Sequence, residues 1–354
     1  MKAKHEQLAE RLKATILKAE PGTRLPSVRQ IARKSRVSHL TVSRAMDLLE
    51  DQEFVLRRPA LGIFTARPRG KRADDRSLKR RILLLVPDDW DMEIPLLIRK
   101  TLTERGFLSV LQRYDMRERP GRWLPRLTYD GIAFVGFCPP EMLPELRKRN
   151  VPFVAQGVQF AHTGVDHTCG DERMVGVMAA RHLVELGHRR VAMLVNEPRS
   201  PDIEERIEGF SIQCRGMGVE PTVFDCAMIW GDDHRRRAKE MIERQFKHGR
   251  FPHTGLFAVG DAGAASALQV FYEHHVRVPQ EVSVIGCGNS PESAYLCPAL
   301  TTLAFDLHDR ARAFVDILEQ RFAGDRSPQI AKMFAPHLIE RKSTAPPTNR
   351  EDKS

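Results

Sequence analysis

From residue 81 onward, short apolar runs alternate with amphipathic segments, and this alternation constrains the fold more than any other feature. "RILLLVP" (81–87) is an apolar run ended by proline, which reads as a buried parallel strand. A helix through "PLLIRKTLTERG" and a strand "FLSVLQRY" follow. The strand "YDGIAFVG" (129–136), the helix "PPEMLPELRKRN" and the strand "VPFVAQG" repeat the unit. The helix "RMVGVMAARHLVELG" and the strand "RRVAMLV" then open a second series, which continues to "VSVIGC". Strands and helices joined by short links predict an α/β fold with parallel sheets. Two successive series predict two lobes with a cleft between them, suited to a small polar molecule. Polar residues at strand ends line such clefts. That rule singles out Asp261 after "LFAVG" and Asn289 after "VSVIGCG", with Arg206 near the start of a helix in the second half.

The first quarter of the chain is different in charge. Residues 1–81 hold 21 Lys and Arg against 9 Asp and Glu, whereas the remainder holds 35 against 37. The net charge of +10 therefore resides at the N-terminal end, as in a polyanion-binding head on a neutral body. Within it, "EQLAERLKATILKA" (6–19) is an amphipathic helix with a Leu8, Leu12, Ile16 and Ala19 stripe, ended by Pro21 and Gly22. "LPSVRQIARKSR" restarts a helix, with Ser27 as its N-cap and Gln30 completing a capping box. Val37 lies in the next turn. Ser38 caps "HLTVSRAMDLLE", in which Val42, Ala45, Met46 and Leu49 form the buried stripe and Leu40 helps to cover the core. His39, Thr41, Ser43 and Arg44 are left outward. Two short helices joined by a tight turn, the second polar at its start, predict a helix-turn-helix whose recognition helix enters the major groove. "VLRRPALGIFTA" then reads as a two-stranded wing with Arg57 and Arg58 near its tip, placed to approach phosphates or the minor groove.

These residues resemble the winged head of the GntR family of bacterial transcription regulators. The carriers are "LPSVRQIA", "VSHLTVSRAM" and the wing "LGIFTA", in the family's order and spacing. Ala60 replaces the first wing glycine, and Glu53 stands where a turn glycine is common. The resemblance implies duplex-DNA contacts from Ser27, Arg29, Ser38, His39, Thr41 and Arg44, with Gly62 as the retained wing glycine. The structural alternatives are a plain cap for Ser38, a solvated His39 and a local ion pair for Arg29.

The body resembles the LacI/GalR effector domain, itself built like a periplasmic sugar-binding protein. The carriers are "GVDHTCGDERMVGVMAARHLVELGHRRVAML", "ERIEGF", "GLFAVGDAGAASAL", "VRVPQEVSVIGCGNSPESAYLCPALTTL" and "HLIERKSTAPP". The resemblance covers about residues 82–347. It implies that Arg206 and Asp261 hydrogen-bond a sugar, with Asp166 and Trp90 as further candidates from the first lobe. The alternatives are a brace for Asp166, a packed loop residue for Trp90 and a structural ion pair for Arg206. The usual glycine-phenylalanine-aspartate is Gly286-Cys287-Gly288 here, and Gly260 replaces the asparagine before Asp261. The cleft is therefore altered from the family pattern.

The expected organisation is a winged helix-turn-helix head over 1–66, a basic linker over 67–81, a two-lobed periplasmic-binding-protein-like α/β domain with parallel sheets over 82–345, and a disordered tail over 346–354. By the resemblance the chain crosses between lobes three times, near 187–190, 288 and 320–330. Lobe one is then 82–187 plus 289–320, and lobe two 188–287 plus 330–345. The expected function is a sequence-specific DNA-binding transcriptional regulator, a dimeric repressor, cytoplasmic and nucleoid-associated, on a palindromic operator and controlled by a small-molecule effector of the sugar class. The alternative is a constitutive DNA-binding protein whose body only dimerises. No cofactor and no metal is implied: the six cysteines form no CxxC, and no GxSxG, HExxH or P-loop occurs. No apolar run reaches 18 residues, so no membrane association is expected.

Overall fold

The computed structural model describes residues 4–17, 19–20, 22–51, 54–58, 62–65, 80–88, 90–115, 129–136, 138, 142–246 and 250–348. The expected linker lies, but for Arg80 and Arg81, outside these residues. The chain forms two compact units, Met1–Leu78 and Lys79–Ser354.

The head carries helices α1 (Lys4–Ile16), α2 (Val28–Ser35) and α3 (His39–Asp51), then strands β1 (Val55–Arg58) and β2 (Gly62–Thr65). Leu8, Ile16, Ile31, Val42, Met46 and Leu49 close its core, with Phe54, Val55 and Ile63 from the wing side. Ser27 caps α2 through the expected capping box with Gln30. Arg36 ends α2 in the left-handed region at φ 51°, and the Val37 N–H returns to Ala32 O at 3.2 Å. That turn sets the entry of α3. The wing pairs antiparallel, with Arg58 opposite Gly62. On the other edge of β2, Leu25 N donates to Ile63 O at 2.7 Å and Thr65 N to Thr23 O at 2.8 Å. One expectation is corrected: Leu40 does not cover the core and is 61% exposed.

The second unit contains two six-stranded sheets. In chain order its elements are β3 (Arg81–Pro87), α4 (Glu93–Glu104), β4 (Leu108–Tyr114), β5 (Gly131–Phe134), α5 (Met142–Arg147), β6 (Phe153–Gln156), β7 (Asp166–Gly170), α6 (Glu172–Glu185), β8 (Val191–Val195) and α7 (Pro201–Gly216). Then come β9 (Thr222–Asp225), α8 (His234–Arg244), β10 (Gly255–Ala258), α9 (Asp261–Glu273), β11 (Ser283–Cys287), β12 (Thr301–Ala304), α10 (Leu307–Phe322), β13 (Ala331–Phe334) and β14 (His337–Ile339). The first sheet runs β13-β7-β6-β5-β3-β4 and the second β14-β12-β11-β10-β8-β9. Every described strand pair in both sheets is parallel except β12 with β14.

This order moves all three lobe crossings. Helix α6 buries Val175, Ala179 and Leu183 with Val191 and Phe257 of the second sheet, so the first crossing follows Gly170 rather than lying near 187–190. Strand β12 pairs with β11, so the second crossing follows Ala304 rather than lying near 288. Helix α10 packs Phe314, Val315 and Leu318 into the first lobe, and β13 joins its sheet. The third crossing therefore falls between Phe334 and His337, after the expected 320–330. The start of the expected tail is docked: Thr348 donates through Oγ1 to Gln280 O at 2.6 Å.

Helices α6 and α7 touch backbone to backbone. A Cβ on Gly176 would lie 2.1 Å from Arg206 O, and one on Gly209 would lie 2.1 Å from Arg173 O. Two glycines at one crossing allow this approach, and it carries Glu172 to Arg206.

Candidate functional site

In the head, α3 presents its polar start outward. Ser38 Oγ accepts from Thr41 N at 3.1 Å and lies 2.8 Å from Thr41 Oγ1, so the hydroxyl pair fixes the first turn. Ser38, His39 and Arg44 are exposed, while Thr41 is half-buried. Arg29 is exposed on α2, next to the cap residue Ser27. Ser27, Arg29, Ser38, His39 and Thr41 thus lie in the first turns of two consecutive helices, or immediately before them, and Arg44 lies one turn further along α3.

Arg57 corrects an expectation. Its guanidinium sits 2.9 Å from Asp47 Oδ1 and donates to Ser43 O at 3.3 Å, both on α3. Its side chain braces the wing against α3 instead of standing free at a tip. Arg58 lies in β1, but its side chain is outside the described residues. Gly62 has φ +118°, and a Cβ there would stand 3.1 Å from Arg24 Nε. The exposed Arg24 is therefore an additional cation beside the wing, which the motif reading did not single out.

In the second unit a cavity of about 440 Å³ lies between the lobes. Of the five residues expected there, Trp90, Arg206 and Asp261 line it, and Asp166 and Asn289 do not. Asp166 is clamped by Arg321 at 2.5 and 2.6 Å and accepts from Ile330 N at 2.8 Å, which ties β7 to α10 within the first lobe. Asn289 adopts φ 52°, and its Oδ1 accepts from Arg341 Nη2 at 2.6 Å. Both assignments are corrected to bracing roles.

Asp261 borders the cavity, yet its carboxylate serves the fold. It accepts from Ser290 N at 2.7 Å, Ser293 Oγ at 2.6 Å and Thr302 Oγ1 at 2.7 Å. Arg206 is likewise engaged, with Nε on Glu172 Oε2 at 2.7 Å and Nη1 on Val259 O at 2.6 Å. The two family departures have local reasons. A Cβ at Gly260 would lie 2.3 Å from Glu197 Oε1, so the missing side chain leaves room for the Glu197 carboxylate. Gly288 takes φ +123°, where an aspartate would be strained.

Among the charged residues lining the cleft that the sequence reading did not name are Glu172, Glu197, Asp202 and Arg310. Burial raises the Glu197 carboxyl above the usual carboxylate range. Burial, and then the neighbouring Glu172 charge, push Asp202 up to about 6. Arg310 is only 7% exposed, and its Nε has no hydrogen-bond partner among the described residues. Its guanidinium lies 5.0 Å from the Phe305 ring centroid, and burial lowers its pKa from the ordinary arginine value. Glu172 and Glu197 each lie two residues beyond a strand, so the strand-end rule would have found them. Arg310 sits inside a helix, and no sequence signal marks it. Among the described residues no cluster of three or more His, Cys, Asp or Glu could hold a metal ion, and no helix is long and apolar enough to cross a membrane.

Comparison with known proteins agrees with both units. Residues 4–64 match the family of bacterial regulatory proteins of the gntR type, and residues 180–344 match a periplasmic binding protein-like domain. The HTH-type transcriptional regulator GalR of Salmonella typhimurium is 26% identical over 188 residues, 52% of this chain and 54% of that protein. The chain thus spans about half the length of GalR. An arabinose metabolism transcriptional repressor of Halalkalibacterium halodurans is 24% identical over 98% of this chain and 97% of its own. A LacI family transcriptional regulator from Enterococcus faecium, solved with bound ribose, shares the fold at a TM-score of 0.65, with 22% identity over 75% of this chain and 99% of that one. The molecule joins a helix-turn-helix head to a two-lobed α/β body. More specifically, it carries a GntR-type head on a periplasmic-binding-protein-like domain.

Proposed function

We propose that this chain is a sequence-specific DNA-binding transcriptional regulator whose operator affinity is set by a small polar effector, with a sugar as the favoured class. The observation that carries the effector half is Arg310, a buried guanidinium with an unpartnered Nε in a two-lobed cleft. A buried cation without a full set of acceptors is costly, and a ligand oxygen supplies what is missing. The head supports the DNA half through its positive charge and the outward start of α3.

The effector acts through its differential affinity for two arrangements of the lobes. We infer a homodimer on a palindromic operator, repressing in the cytoplasm at the nucleoid. Arg29, His39 and Arg44 supply the direct DNA contacts, and Arg58 and Gly62 belong to the wing that approaches the backbone. Ser27, Ser38 and Thr41 hold the two helix starts in place beside it.

The test is operator binding by the full chain, using a duplex selected from random DNA, with and without ribose, arabinose, galactose and cellobiose. The expected result is sequence-specific binding that one of these sugars changes by tenfold or more, on the order of 1–3 kcal/mol of coupling. Specific binding that no sugar alters, together with no sugar-induced thermal shift, would replace this reading with the constitutive alternative.

A further inference from the structure

We propose that Leu40 reads a thymine methyl group in the operator; the proposal rests on the head being a DNA reader. Helix α3 completes its buried stripe without this residue, because Val42, Ala45, Met46 and Leu49 are each 0% exposed. Leu40 stands 61% in solvent in the first helical turn, directly after His39. Arg44 is four residues on and therefore neighbours Leu40 on the helix surface. Helical side chains lean towards the N-terminus, so Leu40 projects at the leading end of α3. Ser38 and Thr41 have hydroxyls already committed to each other. The outward side chains of this turn are thus an imidazole and a lone aliphatic group, with a guanidinium one turn later.

A single exposed leucine is ordinary on a protein surface. Its surroundings are what select the partner. Arg29, Arg33, Lys34 and Arg36 are all exposed on α2 and the turn that leads into α3. One apolar side chain amid cations is too small for a protein interface and suits a polyanion that carries small apolar groups. In the major groove the apolar group is the C5-methyl of thymine, and leucine meets it by simple contact. Leu40 thereby adds discrimination that His39 and Arg44 cannot supply through hydrogen bonds.

The test uses the full chain and duplex DNA selected from a random pool by the wild-type protein. Each thymine of the selected site is replaced in turn by deoxyuridine, which removes the methyl and keeps the pairing. Affinities are measured for wild type and for Leu40→Ala. At one position in each half-site, deoxyuridine should weaken wild-type binding about fourfold, the worth of one buried methyl-sized group. Leu40→Ala should lose that penalty while binding the deoxyuridine duplex as wild type does. A Leu40→Gln selection should no longer favour thymine there. Penalties of equal size in wild type and Leu40→Ala, or no penalty at any thymine, would overturn the proposal. A wild-type selection that enriches no sequence would instead remove the DNA-reading function itself, a distinct and recognisable failure.

Discussion

The carboxylate of Asp261 occupies the space that a side chain at position 286 would need: a Cβ on Gly286 would lie 2.1 Å from Asp261 Oδ1 and 2.9 Å from Leu300 Cδ2. Gly286 ends in neither a turn nor a left-handed conformation. It is a strand residue, in register with Thr302, kept bare for a neighbouring carboxylate. Gly286→Ala should destabilise the second unit by about 1–3 kcal/mol through overpacking. Asp261→Ala should cost at least as much, because it leaves Ser293 and Thr302 hydroxyls without their acceptor. Denaturant titration of both variants checks this. An Asp261→Ala variant as stable as wild type would return the residue to a ligand-binding role.

The Gly176–Gly209 crossing makes a related prediction. Either glycine changed to alanine would place a methyl 2.1 Å from a backbone oxygen of the opposite helix. Backbone cannot rotate aside as a side chain can, so the helices must separate. The expected loss is about 2 kcal/mol or more, at the upper side of ordinary overpacking. Combining Gly176→Ala with Arg206→Ala should cost less than the sum of the two, since separation already weakens the Glu172 contact. Additive losses would show that the crossing and the ion pair are independent.

Arg44 and Arg57 are thirteen residues apart and should behave oppositely. Arg44 is exposed and unpaired among the described residues, and Arg44→Ala should weaken operator binding by about 1–3 kcal/mol if it reads a base. Arg57 is held by Asp47 and Glu50 on α3. Its replacement by alanine should cost up to about 1 kcal/mol of stability and leave the slope of affinity against salt unchanged. A slope reduced by roughly one charge would show that Arg57 does touch phosphate.

The head was legible because its signals are local. A cap, a capping-box glutamine, a turn and an apolar stripe all lie within a few residues of one another, from Ser27 to Leu49. Leu40 was misplaced because periodicity marks an apolar residue and not whether core remains to receive it. The body was legible as strands and helices but not as lobes. Helix α6 is amphipathic whichever sheet it covers, and only its packing partners and the pairing of β12 and β13 show where the chain crosses. In the cleft, strand ends pointed at the right region. Whether a candidate carboxylate faces ligand or fold depends on partners distant in sequence, such as Thr302 for Asp261 and Arg321 for Asp166.

Arg310 allows a test that separates ligand from scaffold. Its buried guanidinium lacks a full set of partners, so Arg310→Met should leave ligand-free stability within about 1 kcal/mol of wild type or raise it. The same variant should lose the thermal shift caused by any sugar that stabilises wild type. A loss of several kcal/mol without sugar would mean that Arg310 is a structural ion and not a waiting ligand contact.

Asp202 holds a contact between the two lobes where burial disfavours its charge. Its Oδ1 accepts from Val158 N at 3.3 Å, joining α7 of the second lobe to the first lobe. Burial, followed by the Glu172 charge, raises its pKa to about 6, above the ordinary value of 3.8. The folded protein therefore favours the protonated carboxyl. Its contribution to stability is full below the unfolded value and is lost as pH rises through about 6. Relative to Asp202→Asn, which does not titrate, wild type should lose about 1–3 kcal/mol between pH 4 and pH 7 and change little above that. Urea unfolding of the pair across this range measures the difference. A constant offset between wild type and variant would show that Asp202 titrates at its ordinary value, and that the lobe contact carries no pH dependence.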